Sequence, residues 1–334
     1  MNRSLKTILF VIGIAIFAFL VFNFGIGNIL LNIQKTGWWV LPIIGIWGIV
    51  YLMNAWAWYF IIDGKNKKIT FPKIFSITLS GFAINYITPV INLGGEPYRI
   101  LALKDSLGLN VSVSSTILYT MIHFLSHFIF WLSAIILMSI FLPLSAALKI
   151  IFSITSVVLV ITISFFISRH KKGVLISLYK LFTKIPFLKK YKAKISTKEE
   201  RIVQIDKEIT DFYYKRQRSF YSALLLDYSA RLVASIEFYF ILRSIGIDIS
   251  ILESVYISAG SSLIMNILFF MPFELGTREG GIMLVMNSLK YTAGIGVYVG
   301  LVNRVREFFW ILIGLLLLQL QKSKIEQEKV VNVL

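Results

Sequence analysis

Long apolar stretches recur along this chain, and they limit more than any other feature how it can fold. Each approaches or exceeds the ~20 residues that an α-helix needs to cross the hydrocarbon core of a bilayer. They lie at about 5–26, 37–61, 74–93, 112–141, 147–168, 219–242, 252–271 and 293–320. Hydrophobic residues make up 57% of the 334 residues, too many for a water-soluble globule of this size. The sequence therefore predicts an all-α integral membrane protein.

Two of these stretches, 74–93 and 252–271, are interrupted near their ends by a proline and then by a glycine-bearing charged motif. The first motif reads PVINLGGEPYR and the second PFELGTREGG. Non-helical backbone at membrane depth is tolerated only where protein or water satisfies its polar groups. We therefore predict two broken or re-entrant helical hairpins, with return arms at about 97–107 and 281–290, beside about six spanning helices. The residues expected to form the breaks are Pro89, Gly94, Gly95, Pro272, Gly276 and Gly280.

The distribution of positive charge predicts which side of the membrane each connection occupies. Lys and Arg number 34 against 17 Asp and Glu, and cytoplasmic loops usually hold such an excess. A cytoplasmic N-terminus then also puts the basic segment 169–218 and the C-terminus in the cytoplasm. An odd number of spans separates the hairpins, so they start from opposite faces, which suggests the inverted repeat of many transporters. We predict a single polytopic domain, residues 1–334, in the cell membrane.

The segment 169–218 is the longest polar connection, with 15 Lys and Arg against 5 acidic residues. Ser196 and Glu199 have the spacing of a capping box, and apolar residues follow at helical spacing from Ile202 to Phe212. We predict an amphipathic helix in a basic cytoplasmic loop, which acts as an ordinary positive-inside anchor or lies on an anionic leaflet. The segment is too short and too basic for a separate catalytic domain.

Ionisable residues recur inside the apolar segments, where a charged side chain usually faces a bundle interior or a watery cavity. Each hairpin motif offers an arginine and an acid, and the last stretch adds two arginines. Glycines let the backbone approach a ligand, a helix N-terminus offers N–H groups, and the arginine fork fits a phosphate. The pattern is typical of a binding site for an anionic headgroup. The alternative interpretation is that the charges form ion pairs with one another and only hold the helices together. The candidate headgroup-binding residues are Arg99, Arg278, Arg304, Arg306, Glu96 and Glu279.

Other chemistries find little support in the sequence. The chain has no cysteine, which excludes disulfides and thiolate sites. His123 and His127 have the i, i+4 spacing of a metal pair, but the HExxH pattern is absent, so we interpret them as hydrogen-bonded residues of a helix bundle. No Walker-type phosphate loop and no GxSxG motif occurs. We expect no catalytic residue, no metal, no cofactor and no nucleic-acid partner.

The order of the motifs resembles the lysylphosphatidylglycerol synthase transmembrane family, the flippase-like membrane region of multiple peptide resistance proteins. The first hairpin motif is similar to the family's Gly-Glu-x-x-Arg element. The family's Pro-Gly-Gly-x-Gly-x-Arg-Glu-Gly signature is matched here by Pro272, Gly276, Arg278, Glu279 and Gly280. Glu274 stands where the family often has glycine. The soluble aminoacyl-transferase domain of bifunctional members is missing, so the resemblance implies the membrane function and not the synthase activity.

The resemblance implies a protein that moves a polar lipid between leaflets or accompanies an enzyme of lipid or glycan assembly. Together with the charged motifs, it favours a transporter that moves an anionic or phosphate-bearing headgroup through a central cavity. In this hypothesis the arginines hold the phosphate, and the two acids orient them or bind a cationic group. Without a nucleotide-binding motif, transport is passive or coupled to an ion gradient. The alternative is a membrane-embedded transferase or accessory subunit acting on a lipid-linked sugar or aminoacyl donor, with Glu96 or Glu279 as general base. Expected partners are membrane lipids, a second copy of the chain or a lipid-modifying enzyme.

Overall fold

A computed structural model of the chain describes residues 26–62, 69–87, 94–141, 146–170, 199–268 and 277–331, with the single positions Val11, Ala15, Ala18, Phe22 and Ile176. Within these residues the fold is helical, as predicted, and contains no strand. Pro89, Pro272 and Gly276 lie outside the described residues. So do most of the predicted first span 5–26 and most of the basic segment between 171 and 198.

Most of the described helices coincide with predicted apolar stretches or hairpin arms, but the first, Ile26–Thr36, lies between the predicted stretches 5–26 and 37–61. A short 3-10 turn, Gly37–Trp39, joins the first two helices, and Gly37 has a φ of +58° there, a value that glycine adopts readily. In chain order the helices are α1 (Ile26–Thr36), α2 (Val40–Ile61), α3 (Phe71–Ile87), α4 (Gly95–Leu107), α5 (Leu109–Phe141), α6 (Ala146–His170), α7 (Glu199–Lys215), α8 (Gln217–Ser244), α9 (Ile251–Ile267), α10 (Thr277–Ser288) and α11 (Ala293–Val331).

Among the described residues, 3 helical segments are long and apolar enough to cross a membrane: Ile33–Ile61, Leu109–Phe141 and Ala146–Ser168. The last of these, in α6, has only 6% of its most apolar window buried inside the protein, so most of its surface is left for lipid. α8 and α11 also form where spans are predicted, and are 28 and 39 residues long. The class of all-α membrane protein is confirmed, while the number of spans stays a prediction.

The chain divides into two compact units. Unit 1 comprises Met1–Ala55, Ile69–Ala102 and Ser229–Leu334, and unit 2 comprises Trp56–Lys68 and Leu103–Tyr228. Unit 1 therefore holds both predicted hairpins together with α11. Unit 2 holds α5, α6 and α7.

The first hairpin of unit 1 consists of α3 and the first turns of α4, which run antiparallel. Asn85 accepts a hydrogen bond from the backbone N–H of Gly95 at 2.5 Å, and one turn further along α4 Arg99 covers Gly81. A Cβ at Gly95 would overlap the carbonyl oxygen of Gly81, so the helices are closest where both carry glycine. The return arm begins at Gly95, close to the predicted position 97.

The second hairpin consists of α9 and α10, which are also antiparallel. A Cβ at Gly260 would come within 2.8 Å of Val285 Cγ2, and a Cβ at Gly281 would come within 3.4 Å of Ile264. The return arm occupies Thr277–Ser288, against the predicted 281–290. Both predicted hairpins therefore have two paired helical arms among the described residues. Their re-entry into a membrane stays a prediction.

α11 runs antiparallel to one arm of each hairpin. Close to the start of α11, α10 lies directly against it: a Cβ at Gly300 would come within 3.0 Å of Glu279 Cγ. Further along, Ser80 of α3 donates a hydrogen bond to the carbonyl oxygen of Gly314 at 2.9 Å, and a Cβ at Gly314 would come within 2.6 Å of Ala83 Cβ. Successive parts of α11 thus pack against the second and then the first hairpin.

In unit 2, α7 occupies part of the predicted basic segment and packs against α5. Just after α7, the Arg216 guanidinium donates hydrogen bonds to the carbonyl oxygens of Phe60 and Ile61, at 3.1 and 3.4 Å. A cation is favourable at these positions because α2 ends there and the carbonyl groups of its last turn carry partial negative charge. The buried apolar residues of α7 are Ile205, Ile209 and Tyr213.

Candidate functional site

The structure buries all the arginines proposed for the site. Arg99, Arg278, Arg304 and Arg306 have 2%, 5%, 4% and 3% of their surface exposed. They belong to α4, α10 and α11, and all lie in unit 1. Because a guanidinium keeps its charge in a protein, a buried one needs carboxylates or other acceptors beside it. The structure provides a carboxylate for each.

Arg306 has the most complete set of partners. Its Nε and Nη2 donate hydrogen bonds to the two carboxylate oxygens of Glu237 at 2.9 and 3.0 Å, the bidentate geometry of a strong pair. Trp47 donates a hydrogen bond from Nε1 to the same carboxylate at 2.7 Å, and the Arg306 guanidinium lies 3.8 Å from the Trp47 ring centre. Arg306 therefore ties α2 and α8 to α11 within unit 1.

Glu307 receives hydrogen bonds from both hairpins. Arg278 of α10 donates to Oε1 through Nη1, and Tyr86 of α3 donates its hydroxyl proton to the same oxygen at 2.9 Å. Arg304 and Arg306 lie 4.0 and 3.6 Å from the carboxylate oxygens. Glu307 is thus the residue of α11 at which the two hairpins meet, and guanidinium groups approach it from several directions.

Arg304 pairs with Glu279, the acid that follows Arg278 in the second hairpin motif. Arg304 Nε lies 3.2 Å from Glu279 Oε1. The Glu279 side chain is 19% exposed, whereas that of Glu307 is 3% exposed. Glu279 is therefore better placed than Glu307 to move away from its arginine.

Arg99 occupies a separate position in the first hairpin. Its Nη1 lies 3.3 Å from Glu96 Oε1, and its guanidinium carbon lies 4.9 Å from the ring centre of Phe82. The side chain crosses α3 at Gly81, where a Cβ would come within 2.7 Å of Nε. A larger residue at position 81 would therefore displace this guanidinium.

One turn of α3 contacts both sets of charges. Asn85 lies 3.5 Å from Glu96 Oε1, and the next residue, Tyr86, donates its hydrogen bond to Glu307. The Arg99–Glu96 pair and the Glu307 cluster are therefore linked through adjacent residues of one helix. A shift of this turn would change the surroundings of both.

Each of the four candidate arginines is matched by one carboxylate. The partners of the candidate arginines are Glu96, Glu237, Glu279 and Glu307. Removing one partner from a buried ion pair typically costs about 3–5 kcal/mol, because the other charge then stays in a medium of low dielectric constant. An anion that binds these arginines must therefore displace a carboxylate, or bring a compensating positive charge.

Several buried polar atoms near these pairs have no hydrogen-bond partner within the part of the chain that the structure describes. They are Thr277 Oγ1, Asn303 Oδ1 and Glu96 Oε2. Buried polar groups are normally hydrogen-bonded, and Thr277 and Asn303 directly precede Arg278 and Arg304 in the chain. These atoms are suitable donors and acceptors for a polar ligand at the arginines.

The sequence did not connect Glu237, Trp47 or Tyr86 with the arginines. The Arg306–Glu237 and Tyr86–Glu307 pairs join residues 69 and 221 positions apart. No spacing rule relates positions on different helices at such separations. The one available signal is that an acid stands inside an apolar stretch, which marks Glu237 as a residue in need of a partner without identifying that partner.

Both histidines of the predicted pair lie in unit 2, with their ring centres 5.8 Å apart. His123 Nδ1 lies 3.0 Å from Oδ1 of Asp227, which is fully buried, and the Ser126 hydroxyl contacts the other carboxylate oxygen. His127 instead stacks on Trp131, with ring centres 4.8 Å apart. Each histidine therefore has its own partner within unit 2.

Comparison with known proteins relates the chain to a membrane family. The sequence matches the family described as the lysylphosphatidylglycerol synthase TM region over residues 8–314. It is also similar to the UPF0104 membrane protein PH1989 of Pyrococcus horikoshii, with 24% identity over 339 residues that cover 95% of this chain and 98% of that protein. No solved structure matches the chain. The family match includes both hairpins and the charged turns of α11.

Proposed function

Because this chain belongs to the family of the lysylphosphatidylglycerol synthase transmembrane region, we propose that it moves a lipid with a phosphate-bearing headgroup between membrane leaflets. The observation that carries the proposal is the meeting of both hairpins at Glu307, among Arg278, Arg304 and Arg306. The arginine fork matches phosphate geometry, and broken helices commonly form the substrate sites of transporters. The proposed location is the cell membrane, with both termini cytoplasmic.

We propose that the headgroup binds by exchange with a carboxylate. Its phosphate replaces Glu279 at Arg304, because Glu279 is more exposed than Glu307. The displaced carboxylate then needs a proton, or a cationic group on the same headgroup, to keep the buried charge balanced. This requirement gives Glu279 a defined role in transport, consistent with the sequence hypothesis that it orients arginines or meets a cation.

Each hairpin holds Glu307 through one side chain, which supplies a way to open the site. Tyr86 belongs to the first hairpin and Arg278 to the second, and both donate to Oε1 of the same carboxylate. Movement of either hairpin releases one of these hydrogen bonds and leaves the other in place. Alternating movements of this kind expose the arginines to one side and then the other. Such a cycle is passive or uses an ion gradient.

Transport in reconstituted vesicles tests the proposal. The vesicles carry a trace of fluorescent phosphatidylglycerol, and dithionite added outside bleaches only the outer leaflet. We expect wild-type protein to bring inner-leaflet probe to the outside. Arg304→Lys keeps the positive charge but loses the planar guanidinium that can donate two hydrogen bonds to one phosphate. This variant should therefore slow transport about tenfold or more.

Arg218→Lys is the matched control, because the same replacement is made at an exposed position of α8. It should transport like wild type. Equal bleaching with wild-type protein and with protein-free vesicles would contradict the proposal. Mass spectrometry of the recovered lipid addresses the transferase alternative, since a covalently altered lipid would favour an enzyme or its accessory subunit over transport.

A further inference from the structure

A buried carboxylate in unit 2 has no part in the proposed exchange at the arginines. It belongs to Asp227 of α8, which is fully buried. His123 of α5 lies with Nδ1 3.0 Å from Oδ1 of this residue, and the Ser126 hydroxyl donates to Oδ2. The candidate arginines of unit 1 keep their charge at every pH of interest, whereas a histidine gains or loses its charge between about pH 5 and 8. The pairing of Asp227 with His123 therefore depends on pH.

The geometry leaves Nε2 as the nitrogen of His123 that can gain a proton. Because an ionised carboxylate only accepts hydrogen bonds, the neutral ring donates its Nδ1 proton to Asp227, and the lone pair is then on Nε2. The His123 side chain is 28% exposed, so the ring forms the accessible side of the pair. A proton added from water to the Nε2 lone pair breaks no bond within the pair. It changes the net charge of the two groups from one negative charge to none.

The titratable groups nearest to the His123 ring lie on α5 and α8. On α5, the ring centres of Tyr119 and His127 lie 5.9 and 5.8 Å from that of His123. On α8, Arg231 stands four residues after Asp227, a spacing at which helical side chains can meet. His123 is therefore the histidine of this region whose added charge a carboxylate can neutralise.

α6 and α7 also pack against α5 and carry charges of their own. On α7, Asp206 accepts a hydrogen bond from the backbone N–H of Ile176, and Asp211 pairs with Lys215 at 2.9 Å. These groups thus have partners other than His123. Further titratable residues on these helices and on the neighbouring part of α2 are Lys149, Lys207, Glu208, Tyr213, Tyr214 and Tyr59.

We infer that His123 and Asp227 form a proton-binding site, and that the proton is the ion whose gradient drives the proposed transport. The inference rests on the proposed function, because it names the ion for that cycle. His123 belongs to the candidate span Leu109–Phe141, so a proton that binds there has entered the membrane part of the chain. α8 carries Asp227 and, ten residues later, Glu237, which holds Arg306. A change in how α8 is held against α5 therefore acts on the helix that also holds a buried arginine.

Nitrogen NMR tests the proton site directly. The chain has 3 histidines, so the full protein, labelled with nitrogen-15 histidine and placed in nanodiscs, gives few ring signals. The variants His127→Gln and His170→Gln identify the signals of the other two residues. We expect the His123 ring to carry one proton, on Nδ1, at about pH 8, and protons on both nitrogens at about pH 5.

A His123 ring that keeps the same number of protons over this range would overturn the inference, and so would a neutral ring with its proton on Nε2. The measurement is made on a protein with both His123 and Asp227 in place. Its result therefore does not depend on whether a variant of this pair folds.

Vesicles with a pH difference test the coupling to transport. The vesicles contain the fluorescent phosphatidylglycerol probe and are held with about one pH unit between inside and outside. They are then returned to equal pH, and dithionite measures the fraction of probe in the outer leaflet. We expect wild-type protein to shift the probe toward one leaflet by up to about tenfold, the ratio that one proton per lipid supports at this pH difference.

His123→Gln removes the titrating ring but keeps a side chain that forms hydrogen bonds. This variant should still exchange the probe between leaflets, without a net shift in response to the pH difference. His127→Gln is the matched control, because the same replacement is made one turn further along α5, at a ring that stacks on Trp131. It should respond as wild type does.

A net shift in His123→Gln equal to that of wild type would overturn the coupling, and so would exchange by wild-type protein without any net shift. Absence of exchange by wild-type protein under every condition would instead contradict the proposed function. The NMR titration then still decides whether His123 and Asp227 bind a proton.

Discussion

At the scale of single residues, Glu307 determines how the buried charges are arranged. It is 3% exposed, and it accepts hydrogen bonds from Arg278 and from Tyr86. A carboxylate in such a place is stable only while its donors remain, and the donors depend on it equally. The ion pair between Arg278 and Glu307 therefore holds α10 against α11.

This mutual dependence predicts a strongly non-additive pair of substitutions. Glu307→Gln alone and Arg278→Gln alone should each lower the free energy of unfolding by about 3–5 kcal/mol, because each leaves an uncompensated buried charge. The variant with both substitutions should recover most of that loss. Unfolding in detergent, followed by tryptophan fluorescence, measures this double-mutant cycle. Purely additive effects would mean that the two groups do not share a buried environment.

The candidate arginines and two of the acids that pair with them, Glu96 and Glu279, could be identified from the sequence, but which acid pairs with which arginine could not. Arg278 and Glu279 stand out because a proline and glycines surround them within an apolar region. Glu237 is also visible as an acid in an apolar helix, yet its pairing with Arg306 depends on how α8 and α11 pack. The periodicity of apolar residues in α8 indicates which face of the helix is buried, but not which helix packs against that face.

At the scale of helices, glycines explain how the hairpin arms come together. The return arms could be predicted, because proline followed by glycine is expected to end a helix, and the predicted arms begin within a few residues of the observed ones. The contact of Gly95 with Gly81 could not be predicted, since it needs the register of two helices. The same holds for Gly300 against Glu279.

Gly95→Ala should therefore weaken the first hairpin. The added methyl group would overlap the carbonyl oxygen of Gly81, and overpacking of this kind typically costs about 1–3 kcal/mol. Thermal unfolding measures the effect. Gly45→Ala is the control, because a Cβ at this position of α2 would meet no other atom within 4 Å. A Gly95 variant as stable as the Gly45 variant would show that the close approach is not required.

At the scale of the whole molecule, composition predicts the membrane class, and the family match supports it. The number of spans is harder to predict, because α8 and α11 carry acids and arginines that lower their hydropathy. In the structure several of these charges form buried ion pairs. Mean hydropathy counts each charge separately, and so it underestimates how well these helices suit an apolar environment. The direction in which each helix crosses the membrane remains a prediction from the Lys and Arg distribution.

The central claim is that buried arginines at the meeting point of two hairpins bind the phosphate of a lipid headgroup. Native mass spectrometry of the purified protein, released from nanodiscs of mixed lipid, tests this claim most directly. Wild-type protein should retain a phosphate-bearing lipid, and the charge-balanced variant Arg304→Gln with Glu279→Gln should retain it about tenfold less. A neutral lipid without phosphate on the wild-type protein, or equal retention by the variant, would contradict the account.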